Sequence, residues 1–158
     1  MRRVLPVFLL LGACHPRIDI PEPENCSFPS KNATIRSIDI GWADPFTAYV
    51  DGDELRISTG GQGSPMIMMG VQVEGEDAPR CLAQRTVVRD DTGRNIGELD
   101  APIKTYDKGD VRETDSFPII LHPTPSPGDA LTIETKALGK TVTRSVYRYG
   151  GDSGDTGF

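Results

Sequence analysis

The sequence predicts an all-β fold: a single antiparallel β-sandwich over residues 33–149, behind a leader and a proline-rich tether and ahead of a polar tail. Three observations predict it. No window of about 12 residues keeps a helical period without a glycine or proline interrupting it. Several short stretches alternate apolar and polar residues, the period of a half-buried strand. Turn signals recur roughly every 8–12 residues, a spacing that fits a sandwich or barrel.

The elements follow in order. Thr34–Ile40 is β-rich, with Ile38 and Ile40 on one face. Phe46–Val50 is the next strand, and Asp51-Gly52-Asp53 after it is a turn. Glu54–Ser58 alternates, and Gly60-Gly61-Gln62-Gly63 breaks the chain. Met66–Val73 is apolar except at Gln72, and Cys81–Arg89 contains the β-branched run Thr86-Val87-Val88. Asp91-Thr92-Gly93 is a turn, and Ile96–Leu99 is a short strand. Within Val111–Leu121 one strand is expected, Phe117–Leu121, stopped by His122-Pro123. Pro123, Pro125 and Pro127 then stiffen a loop. Ala130–Lys136 and Thr141–Tyr149 alternate and read as a terminal hairpin about Leu138-Gly139-Lys140. Residues 150–158 carry glycine, aspartate and little apolar surface, and a disordered tail is expected there.

The start of the chain is organised differently. Arg2 and Arg3 precede a short apolar run, Val4–Leu11, broken only by Pro6. Eight helical residues reach about 12 Å, far short of a hydrocarbon core of about 30 Å, so the segment is a targeting leader and not a span. Leu11-Gly12-Ala13-Cys14 resembles the lipobox read by lipoprotein signal peptidase. Two small residues before the cysteine fit a narrow protease site, and the Cys14 thiol is the nucleophile that takes diacylglycerol. That resemblance implies cleavage before Cys14, acylation of Cys14 and its amine, and a lipid anchor; two or more chains hold a protein stably where one does not. His15, where Asp would signal inner-membrane retention in enterobacteria, leans toward the outer membrane. Residues 14–32, with Pro16, Pro21, Pro23 and Pro29, read as a tether that holds the domain off the membrane.

Composition bounds the function. The 158 residues carry a net charge of −6, and loss of Arg2 and Arg3 with the leader takes it to about −8. Such a surface repels phosphates, so no nucleic-acid partner is expected. It also gives no polybasic grip on anionic lipid. With Cys14 lipidated, Cys26 and Cys81 are left, and an oxidising compartment favours a disulfide between them. The bridge would close a loop of about 56 residues, worth roughly 4 kcal/mol in the chain-entropy view. The alternative, a thiolate metal site, lacks any CxxC.

Candidate chemistry is sparse. Gly151-Asp152-Ser153-Gly154-Asp155 approaches the nucleophile motif of trypsin-like proteases but ends in Asp where that motif needs Gly, and only His15 and His122 could act as base. The pairs Asp51/Asp53, Asp90/Asp91, Asp107/Asp110 and Asp152/Asp155, with Glu54, could serve calcium, yet none forms a twelve-residue EF-hand loop, and tight turns call for the same residues. Met66, Met68 and Met69 raise copper, because thioethers suit Cu(I), with His122 as a further ligand; core filling is the plainer role. Gly60–Gly63 is too short for a phosphate loop. No catalytic set and no cofactor is expected.

Two resemblances remain. Cys26, Trp42 and Cys81 follow the Cys…Trp…Cys order of immunoglobulin domains, though Pro79 stands where those domains have Tyr; the likeness implies an Ig-like architecture. The segment 51–66, Asp-Gly-Asp-Glu-Leu-Arg-Ile-Ser-Thr-Gly-Gly-Gln-Gly-Ser-Pro-Met, is similar to a strand-and-turn segment in lipoproteins of myxobacteria and their relatives, over roughly residues 40–98. Met66 stands where those sequences often carry His. The family has no assigned activity, so the resemblance implies a location and an architecture.

Two function classes follow. The first is a non-catalytic envelope protein that binds a partner protein, glycan or wall component. The second is a metal-binding (copper or calcium) or enzymatic periplasmic domain, which requires His122 and the Met66–Met69 strand to converge in one pocket. A binding module would expose an apolar patch, with Trp42, Phe46 and Tyr49 as candidates; the competing role for those three rings is the core.

Overall fold

The structure is a computed structural model that describes Cys26 and residues 33–150. The leader, Cys14, the rest of the tether and the tail 151–158 lie outside the described residues. The described residues form eleven strands: β1 (Ser37–Trp42), β2 (Thr47–Ala48), β3 (Glu54–Leu55), β4 (Ser58–Thr59), β5 (Pro65–Glu74), β6 (Cys81–Arg89), β7 (Asn95–Asp107), β8 (Val111–Thr114), β9 (Phe117–Ile120), β10 (Ala130–Ala137) and β11 (Lys140–Arg148). They make one mixed sheet in the order β2-β1-β5-β8-β7-β6-β10-β11-β3, with β4 and β9 on β5. The fold is all-β, and no helix occurs among the described residues.

Alternation dictates the two faces. In β10, Leu131, Ile133, Thr135 and Ala137 are buried while the residues between them are not. In β11, Val142 and Val146 are buried while Thr141, Thr143, Ser145 and Tyr147 are exposed. The β10–β11 hairpin turns on Leu138 (φ 48) and Gly139 (φ 76), both left-handed, as a two-residue type I′ loop requires. The long path curls so that inward side chains of β1, β5 and β9 share one core with those of β6, β10 and β11. Ile40, Ile67, Val71, Leu82, Leu131 and Ile133 are among the residues sealed in it, each contributing about 1.5–3 kcal/mol of apolar burial. Gly97 lets β9 lie close against β7: a Cβ there would come within 2.8 Å of the Ile120 carbonyl oxygen and of Leu121 Cδ2. On the other side, the Arg144 guanidinium of β11 donates to Asp39 of β1 at 2.7 Å.

Four polar side chains of the core pair among themselves or with backbone. The Thr86 hydroxyl donates to Gln84 Oε1 at 2.6 Å and lies 2.8 Å from the Thr135 hydroxyl. Thr114 Oγ1 accepts the Val71 amide at 2.9 Å.

The sheet departs from the sequence expectation in four places. It is mixed rather than purely antiparallel, because β3 runs parallel to β11, pairing Glu54 with Tyr147 and Leu55 with Arg148. The alternating stretch Glu54–Ser58 is two bridges and not one strand: the chain leaves β11 after Leu55 and reaches β5 by Ser58. The short strand expected at Ile96–Leu99 runs on to Asp107, since residues 95–104 pair with β6 and 105–107 with β8. Finally, Val111–Thr114 is a strand of its own, sharing the flank of β5 with β9.

Candidate functional site

The Cys26–Cys81 disulfide, with Cα atoms 5.3 Å apart, joins Cys26 to the first residue of β6. The backbone that receives it is firmly held. Buried Thr105 of β7 donates its hydroxyl to the Pro79 carbonyl and its amide to the Arg80 carbonyl, the latter at 2.8 Å. Arg112 of β8 braces Thr105 in turn, with Nε donating to its hydroxyl at 2.9 Å and Nη2 to its carbonyl at 2.7 Å. The Cys…Trp…Cys order therefore does not build the immunoglobulin arrangement. The bridge joins Cys26, which lies in no strand, to β6, and the Trp42 ring meets Tyr49 edge-on at 5.3 Å.

A polar cleft of about 410 Å³ is lined by Arg36, Glu74, Glu76, Asp107, Asp110 and Arg112 among others. Its charges are largely spent on one another. Glu74 accepts from Arg36 at 2.6 Å and from the Ser37 hydroxyl at 2.8 Å, and Arg112 lies 3.6 Å from Asp107. Among the described residues no three His, Cys, Asp or Glu side chains are grouped to hold a metal ion.

The acidic turns use their carboxylates on the backbone. Asp51 Oδ1 accepts the Ser145 amide at 2.8 Å, and Asp53 Oδ2 accepts the Val50 amide at 2.8 Å. Asp90 Oδ1 accepts from Thr92 Oγ1 at 2.6 Å and from the Arg94 amide at 3.0 Å. Asp107 Oδ1 accepts the Gly109 amide at 2.9 Å. These are the Asx contacts that tight turns use. Asp152 and Asp155 lie outside the described residues.

Met66 and Met68 share the outward face of β5, and His122 follows β9, whose Ile120 pairs with Met66. Met66 leans toward Gly60 on the β4 flank of β5: a Cβ built on Gly60 would meet its Sδ at 3.6 Å. His122 is exposed beyond the end of β9, on the opposite flank, and its amide donates to the Ile96 carbonyl at 2.6 Å. Met68 is half-buried on the outward face with Met66, and Met69 is sealed in the core.

The three candidate aromatics do not form an exposed patch. Tyr49 is 1 % exposed, and its hydroxyl donates to the Met68 carbonyl at 3.3 Å. Burial, helped by the Asp53 carboxylate, holds its phenol pKa well above the ordinary value, so the ring stays neutral. Trp42 and Phe46 are half-buried.

The exposed apolar side chains lie elsewhere. Val50 (64 %), Tyr147 (46 %) and Tyr149 (40 %) gather where β11 meets β3, and Ile120 (60 %) stands alone on β9. Tyr147 lies between Ala130 of β10 and Glu54 of β3. The Arg56 guanidinium covers the Tyr149 ring, 5.2 Å from its centroid. Sequence reasoning missed this edge. The alternation of Thr141–Tyr149 could have found it, because Tyr147 and Tyr149 share their parity with Thr141, Thr143 and Ser145, the polar face.

Three surface carboxyls are held below their ordinary range. For Glu74 the Ser37 hydroxyl is the main cause, with Arg36 beside it. For Asp90 it is the Thr92 hydroxyl with Arg94, and for Glu98 it is Arg85 with Asn95. A carboxyl whose folded pKa lies below its unfolded value stabilises the fold above that unfolded value. The contribution is lost as pH falls from the ordinary values of 4.5, 3.8 and 4.5 through the lower folded ones. Glu98→Gln is accordingly expected to be less stable than the native chain at pH 7 and to converge with it in acid, as read by thermal unfolding between neutral pH and about pH 2. Parallel curves throughout would show that the Arg85–Glu98 contact contributes nothing through charge.

No family model matches this sequence, and no curated protein is significantly similar to it.

Proposed function

We propose that the chain is a lipid-anchored protein of the bacterial envelope, cut before Cys14 and acylated there, whose β domain, a sandwich of Ig-like architecture, is a non-catalytic binding module. The observation that carries the reading is the pairing of Cys26 with Cys81. Of three cysteines, this leaves Cys14 alone without an intramolecular partner, at the position the lipobox assigns to the lipidated residue. An intramolecular disulfide suits an exported protein, and this one fixes the far end of the tether to a backbone braced by Thr105 and Arg112. The architecture is supported by the single core that the inward faces of the curled sheet share. His15 favours the outer membrane. The partner is an envelope protein or glycan; the acidic surface disfavours nucleic acid.

Fractionation of a Gram-negative host tests the anchor. The native chain is expected in the membrane pellet at the mass of the cleaved form. Cys14→Ser is expected to lose both lipid and cleavage at that site. A Cys14→Ser chain processed and sedimenting as the native one does would exclude Cys14 as the anchor.

A further inference from the structure

We infer that the edge where β11 meets β3, built from Tyr147, Tyr149, Glu54 and Arg56, is a binding site for a neutral carbohydrate chain. The inference rests on the reading of the domain as a binding module, but not on the lipid anchor.

The register makes the site. Tyr147 and Tyr149 occupy alternate positions of one chain, so they rise from the same outward face about 6.6 Å apart. Glu54 is paired with Tyr147, and the next positions along the two parallel chains bring Arg56 to Tyr149, where its guanidinium covers the ring. The four side chains mark a rectangle of roughly 7 by 5 Å, the scale of one or two sugar rings.

Each component suits a polyhydroxylated ligand. The Tyr147 phenol offers a flat apolar face to the C–H face of a sugar ring and a hydroxyl at its rim, and the Tyr149 ring, with Arg56 over it, adds a second hydroxyl. The Glu54 carboxylate accepts from paired hydroxyls, and the Arg56 guanidinium donates to ring and glycosidic oxygens. Around the rings the sheet is low and polar. Tyr147 faces Ala130, and the next outward pair toward the hairpin tip is Ser145 with Thr132, so no bulky neighbour shields that flank.

The alternatives fit less well. A stable protein interface buries about 800 Å² on each side around an apolar centre, and Val50 with two half-exposed tyrosines among Ala, Ser, Thr, Glu and Arg makes a patch far smaller than that. A polyanionic glycan would meet a chain whose net charge is −6 even before the leader is lost.

The test uses the full-length protein, purified in a non-glycosidic detergent and titrated calorimetrically with chitotetraose and with cellotetraose. Binding of at least one is expected. Tyr147→Ala and Tyr149→Ala should each weaken it about tenfold or more, as anchors do, and the double variant should abolish it. Glu54→Gln, which keeps the shape, should weaken it severalfold, and Ile120→Ser, on β9, should leave it unchanged. Circular dichroism and thermal midpoints check that the exposed-site variants fold, with spectra and midpoints expected to stay close to those of the native chain. Binding undiminished in the double variant would place the sugar site elsewhere. No binding of either glycan at millimolar concentration, or a protein partner captured through the same tyrosines, would overturn the carbohydrate assignment. Neither outcome touches the membrane fractionation, so failure here is distinguishable from failure of the anchor reading.

Discussion

Gly41→Ala is expected to destabilise the domain by about 3 kcal/mol or more, at the upper end for an added methyl group. Gly41 sits in β1 where the chain folds back on itself, paired with Ala48 of β2 on one side and Gly70 of β5 on the other. A Cβ there would stand 2.0 Å from the Thr47 carbonyl oxygen and 2.8 Å from the Ala48 Cα. Both obstacles are backbone, so no rotamer change relieves them; β1 and β2 must separate. Separation would disturb Tyr49, whose amide donates to the Ile40 carbonyl at 2.9 Å and whose buried ring meets Trp42. Gly61→Ala is the control, because nothing lies within 4 Å of its Cβ position. That variant should be neutral or more stable by up to about 1 kcal/mol. Urea midpoints of the two variants against the native chain measure the difference. Equal midpoints would contradict the close approach of β1 to β2.

Removing the disulfide is expected to cost about 2–5 kcal/mol. The bond spans a sequence separation of 55, so breaking it returns considerable freedom to the unfolded chain. The double variant Cys26→Ala/Cys81→Ala avoids a stray thiol. Its urea midpoint should match that of the reduced native chain and fall below that of the oxidised one. Because the bond fastens the tether rather than stitching strand to strand, the fold itself should survive, with strand content by circular dichroism unchanged in dilute urea. An unchanged midpoint would mean that the tether contributes nothing to the stability of the domain.

The strands that the sequence makes legible are those whose alternation and turns agree. Cys81–Arg89, Ala130–Ala137 and the hairpin at Leu138-Gly139 carry strong β-formers between turn residues, and the observed elements match within a residue or two. The end of β7 is illegible because its pattern belongs to two partners. Asp100, Pro102, Lys104 and Asp107 interrupt any apolar run, and the strand is held by β6 and then by β8, which is tertiary context. The parallel pairing of β3 could not be read either. Two residues carry no period, and their partner lies about 90 residues on.

The candidate site divides in the same way. Cysteine arithmetic points to Cys26 and Cys81, because three cysteines less the one at the proposed lipobox leave a single pair. The aromatics were harder. Trp42, Phe46 and Tyr49 cluster in sequence and admit either a surface patch or the core, and Tyr49 takes the core with Trp42 against it. In sequence, Tyr147 and Tyr149 read as the end of an ordinary hairpin. Their exposure follows from parity alone, but their company, Glu54 and Arg56, comes from a strand pairing that no local pattern encodes.

Intact mass of the protein extracted from membranes, recorded before and after reduction, tests the central claim most directly. The account predicts the mass of residues 14–158 plus diacylglycerol and an N-acyl chain, with a gain of about two daltons on reduction as one disulfide opens. An unacylated mass, or no gain on reduction, would contradict it.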